Sequence, residues 1–205
     1  MNIPLRFVNR SEDGHRTEVV LFQKNAAAGM DELAIAWKVI RYCGRDCWHP
    51  LVYTAEFEMS CSDSYGNYSP QLNARSGQCF TATPTASGRR VSRIAMAPSS
   101  NDIQVINELP RGAINVHLYN DGRLIACKTG VAPEQKAVFR FEPTLWIGVV
   151  SQVVQGKAMH SAVMSSVNTE FSLSGIASAD IVMTGGGGGA DAHAYAFTLD
   201  KVIKT

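Results

Sequence analysis

The stretch "AINVHLYNDGRLIACKT", residues 113–129, decides the fold class. Ile114, Val116 and Leu118 alternate with Asn115, His117 and Tyr119, which is the period-two pattern of a strand with one apolar face. Asp121-Gly122 follows, and a second apolar run, "RLIACK", comes after it. An Asp-Gly pair between two such runs supplies the positive φ angles that a two-residue hairpin turn needs. The stretch is a β-hairpin, and its His117 is expected on a solvated polar face.

Outward from the hairpin the same rhythm recurs. In "VYTAEFEMSC", Tyr53, Ala55, Phe57, Met59 and Cys61 share one face, while Thr54, Glu56, Glu58 and Ser60 share the other. That reads as one half-buried strand with its second face in water. Further strands are expected at 3–9, 17–24, 71–74, 78–83, 89–96, 102–108, 137–142, 144–150, 169–174, 178–183 and 194–203. Clusters such as "TPTASG" and "APSSND" punctuate them. Residues 31–42, "DELAIAWKVIRY", fit either a helix face or a strand, and the alternation of Leu33, Ile35, Trp37 and Val39 favours the strand. Many short strands without a βαβ rhythm predict an all-β, single-domain antiparallel β-sandwich, or a partly open barrel, with little helix over 1–205.

Composition narrows the function. The chain has 205 residues, 45% hydrophobic and 18% charged, with a formal net charge of +1. A dedicated nucleic-acid binder needs a basic excess to displace counterions from phosphates, so no nucleic-acid partner is expected. A sparsely charged, nearly neutral surface repels its own copies weakly, which favours a homo-oligomer. No window is long and apolar enough for a constitutive transmembrane helix, and the N-terminus does not read as a signal peptide. With five scattered cysteines, a reduced, cytoplasmic site of synthesis is expected, with leaderless release left open.

Four stretches raise chemical questions. In "SCSDSYGNYSP" (60–70), Asp63, Tyr65, Asn67 and Tyr68 surround Gly66. Aromatic rings pack on the apolar face of a sugar while Asp and Asn bond its hydroxyls, so these four residues form the candidate ligand site. The ordinary reading is a Gly/Asn turn with tyrosines over the core. "MTGGGGGADAHAYAF" (183–197) places Gly185–Gly189 between two expected strands, with no lysine and no following helix. A phosphate loop sets its glycines before a helix N-terminus, in one version with a lysine, so the glycines here are expected to turn and loosen the chain. Cys43, Cys47 and His49 have metal-ligand side chains but lack a second pair, so no metal and no cofactor is expected. No nucleophile elbow appears among the scattered histidines, and no catalytic residue is assigned. Residues 144–184 carry only Lys157, Glu170 and Asp180 as charges, and 158–184 has the small-polar and apolar mixture of a membrane-inserting hairpin. The leading expectation is a non-catalytic, self-associating module that binds a glycan or other surface, a lipid surface included. A pore-forming, toxin-type protein and an enzyme, with metal dependence as one variant, are the alternatives.

Overall fold

A computed structural model describes the chain except residues 1, 13–16, 28, 30–33, 161–162, 165–166, 168, 189 and 191. It is all-β and sandwich-like. Contacts divide the chain into two compact units: 1–23, 36–54 and 143–205 form the first, and 24–35 with 55–142 form the second.

The first unit holds β1 (Asn2–Asn9), β2 (Glu18–Phe22), β3 (Lys38–Ile40), β4 (Trp48–Thr54), β13 (Thr144–Val150), β14 (Thr169–Ser172), β15 (Ile176–Gly186) and β16 (His193–Lys204). They make two four-stranded sheets, ordered β16-β15-β1-β4 and β14-β13-β2-β3. β1 and β15 run parallel, with Phe7 opposite Ile181; the other pairs are antiparallel. Val20, Leu21, Phe22, Leu145 and Ile147 are buried on one sheet and Phe7 and Ile181 on the other. Removing each such side chain from water contributes roughly 1.5–3 kcal/mol, which is what pins these strands.

The second unit holds β5 (Phe57–Ser62), β6 (Leu72–Ala74), β7 (Gln78–Thr85), β8 (Gly88–Met96), β9 (Asp102–Asn107), β10 (Ile114–Asn120), β11 (Arg123–Val131) and β12 (Lys136–Arg140). Its sheets are ordered β11-β10-β5-β6 and β12-β9-β7-β8, with β7 and β9 parallel. Met59, Phe80, Ile103, Ile114, Leu118 and Phe139 are fully buried, and Phe57 meets Phe141 with ring centroids 5.5 Å apart. The β10–β11 hairpin forms as expected. Asp121 and Gly122 adopt φ of 52° and 67°, the paired positive values of a type I′ turn.

Three expectations need correction. The run 52–61 is not one strand: it breaks at Ala55-Glu56, where the chain passes from the first unit to the second. The polar face of β5 and β10 is only partly solvated: Ser60, Ser62 and His117 are buried, while Glu58, Asn115 and Tyr119 are half-buried. In 31–42 only Lys38–Ile40 is a strand; residues 31–33 lie outside the described residues, and Ala34, Ile35, Ala36 and Trp37 are buried without joining it.

The glycine run does join β15 to β16, but it begins inside the strand; its last member, Gly189, lies outside the described residues. Gly185 and Gly186 close β15 with φ of 88° and 82°, and Gly186 sits opposite His193. A Cβ on Gly185 would lie 2.2 Å from the Ala194 carbonyl oxygen, and one on Gly186 2.9 Å from the Tyr195 ring. Close backbone approach, as well as turning, requires glycine here. Within 158–184, β14 pairs with β13, whereas β15 lies between β1 and β16. Insertion of this segment as a hairpin would need β15 to leave the centre of its sheet. No helix among the described residues is long and apolar enough to cross a membrane.

Candidate functional site

The loop after β5 is built around one carboxylate. Asp63 Oδ1 accepts the backbone N–H groups of Tyr65 and Asn67, each at 2.9 Å, and Oδ2 accepts the Asn67 side-chain amide at 2.9 Å. Gly66, at φ 82°, lets the chain reverse between them. This is an Asx-type turn, in which a side chain supplies the acceptor that a backbone carbonyl would otherwise provide. The loop is then tied back: the Ser69 N–H donates to the Cys61 carbonyl at 2.8 Å, and the Ser69 hydroxyl accepts the Cys61 N–H at 3.0 Å.

Arg89, at the start of β8, locks the loop from the other side. Its Nη1 lies 3.2 Å from Asp63 Oδ2, and its Nη2 donates to the Asn67 carbonyl. Its Nε is buried with no partner among the described residues. The Asn67 side-chain and backbone hydrogen bonds, helped by the Tyr65 N–H and the Arg89 charge, pull the Asp63 carboxyl down to about 2. Asp63 and Asn67 therefore use their polar atoms to shape the loop.

A cleft of about 670 Å³ opens beside it. Its lining includes Asn67, Tyr68 and Pro70 from the loop together with Pro84, Pro110 and Arg111. Tyr68 is 60% exposed in this lining, whereas Tyr65 is 90% exposed and stands off it. Arg111 is exposed and has no ion-pair partner among the described residues. The structure thus brings Asp63, Asn67 and Tyr68 together and leaves Tyr65 apart. Sequence reasoning missed Arg89 and Arg111, since strand pairing and loop return, not spacing, carry them to the loop.

Behind Tyr68 lies a second cluster. The Tyr68 ring packs on the His117 imidazole at a centroid distance of 5.0 Å. His117 Nε2 is 3.0 Å from the Ser62 hydroxyl, and Nδ1 is 3.4 Å from the Cys127 sulfur. The Asn115 amide donates to the same Ser62 oxygen at 3.3 Å. Burial pushes the His117 pKa below its ordinary value, so this ring is neutral near pH 7. The alternation of Asn115, His117, Ser60 and Ser62 was the available signal, because it places all four on one sheet face.

Elsewhere, Cys47 is exposed and Cys43 half-buried, and burial raises the Cys43 thiol, with the neighbouring Cys47 adding to it. Among the described residues no three His, Cys, Asp or Glu side chains gather as a metal site. Asp191, two positions before His193, lies outside the described residues. No protein-family model matches this chain, and neither does any curated protein or solved structure.

Proposed function

We propose that this chain is a non-catalytic binding module whose cleft beside the loop 63–70 takes an acidic glycan. The observation that carries the reading is the preformed wall: Asp63 and Arg89 fix the loop so that Tyr68 presents an exposed ring face to the cleft. An aromatic face held in place offers contact area to the C–H side of a sugar at little entropic cost. Arg111, which also lines the cleft and has no ion-pair partner among the described residues, supplies the forked donor that a sugar carboxylate needs. Self-association belongs to the same reading and rests on the near-zero net charge; native mass spectrometry showing only monomer would remove it.

The test is a glycan array followed by calorimetry with the best uronate- or sialate-bearing oligosaccharide. Tyr68→Ala and Arg111→Ala, both surface changes, are each expected to weaken binding by about tenfold or more. Tyr65→Ala should do so less, since that ring is off the cleft. An array without acidic-glycan hits, or full affinity in a folded Tyr68→Ala, Arg111→Ala double variant, overturns the reading.

A further inference from the structure

The cleft does not use the rest of β8, which is the most exposed strand of the second unit. β8 ends its sheet and β6 ends the other, so both present an unpaired edge. Between them runs a groove of about 540 Å³, lined by Leu72, Asn73, Phe80, Arg90, Val91 and Arg93. β8 pairs with β7 on one side only, and none of its residues 89–96 makes a further backbone hydrogen bond among the described residues. A row of outward N–H and C=O groups is a template for another strand.

The side chains say what kind of strand. Arg90 and Arg93 are exposed, and neither has an ion-pair partner among the described residues. Arg75 at the groove's rim is held 3.0 Å from Glu56, an exposed pair that contributes little. The pairing skips one residue between Cys79 and Phe80, so Arg93 stands opposite Phe80 and Ile94 is bulged out, half exposed. Met96 is 71% exposed. Two such edges from two copies would set arginine against arginine, which disfavours a second copy at this place. An acidic strand meets the opposite situation.

We propose that the β6–β8 groove binds an extended acidic peptide segment of a partner protein, which adds to β8 as a fifth strand of that sheet. Its main chain pairs with the open β8 edge. Acidic side chains three positions apart meet Arg90 on one face of β8 and Arg93 on the other, and an apolar residue between them lies against Val91. Affinity comes from the main chain and specificity from the arginines, as in other strand-addition complexes. This groove shares no lining residue with the glycan cleft.

The test uses the full chain and three synthetic peptides in fluorescence anisotropy. One repeats Glu-Val-Thr three times, one replaces each Glu by Lys, and one is the Glu peptide with alternate backbone nitrogens methylated. The Glu peptide should bind and weaken as salt is raised; the other two should not bind. An Arg90→Ala, Arg93→Ala variant, altered only at exposed positions and checked for an unchanged melting temperature, should lose about tenfold or more. Arg111→Ala and Tyr68→Ala should bind the peptide normally, which separates this site from the cleft. Equal binding of the methylated peptide, full binding by the double arginine variant, or no binding of the Glu peptide each overturns the proposal.

Discussion

Asp63 and Arg89 face each other at 3.2 Å, with the arginine side chain only 15% exposed and the aspartate 24%. The pair joins the loop after β5 to the start of β8, so the shape of the cleft wall depends on one carboxylate. Asp63 simultaneously holds two backbone N–H groups of its own loop. Loop order and the ion pair are therefore lost together.

That coupling predicts an acid-sensitive wall. The folded Asp63 carboxyl sits at about 2, against an ordinary 3.8. A depressed carboxylate stabilises the fold fully above its unfolded value and loses that contribution as pH falls from about 4 through about 2. Asp63→Ala should reproduce the acid state at neutral pH. The Tyr65 and Asn67 amides should then exchange with solvent on the order of tenfold faster, read by hydrogen-exchange NMR. Unchanged protection of both amides would show that the backbone holds the loop without the carboxylate.

His117 predicts a second window, at higher pH. Its folded pKa lies below the ordinary 6.5 because the ring is withdrawn from water. Between the two values the unfolded chain binds more protons, so stability is complete above about 6.5 and falls as pH drops below it. Burial is the cause of the shift, and Ser62, Cys127 and Tyr68, which contact the ring, carry no formal charge. Melting temperatures from about pH 7.5 to about 5.5 should fall more steeply in the native chain than in His117→Gln. Parallel curves would mean that folding does not lower the ring's affinity for a proton.

How much of this was legible follows from what alternation encodes. A strand half buried against a sheet partner must alternate, so the strands, the Asp121-Gly122 turn and the two faces of β5 and β10 could be read from residue types alone. Alternation carries no information about which strand lies alongside. Tyr53 and Phe57 keep the same rhythm across the break at Ala55, although they belong to different units. It also cannot say what covers a polar face: Ser60, Ser62 and His117 look solvated by type and are buried, with Tyr68 packed on His117, His117 bonded to Ser62, and the Tyr119 hydroxyl near Ser60. The candidate loop was visible because Asp, Gly, Asn and Tyr are turn-forming and contact-forming types. Arg89 was not, because it reaches Asp63 only through a return of the chain 26 positions later (89 − 63).

The glycine run gives the most direct test of local structure. Gly185 has φ 88°, and any Cβ there would stand 2.2 Å from the Ala194 carbonyl oxygen on the neighbouring strand. A side chain must therefore both accept a left-handed backbone and push β16 away from β15. Backbone strain of this kind costs roughly 1–3 kcal/mol, and the overlap with a backbone atom adds to it. At Gly188 a Cβ would meet no atom within 4 Å, and its φ is outside the left-handed range. Gly185→Ala should destabilise the chain by more than about 3 kcal/mol in urea unfolding, while Gly188→Ala should stay within about 0.5 kcal/mol. Equal, small effects at both positions would mean that the β15–β16 pairing does not extend to Gly185. Equal, large effects would mean that the whole run, and not its first two residues, is held against the sheet.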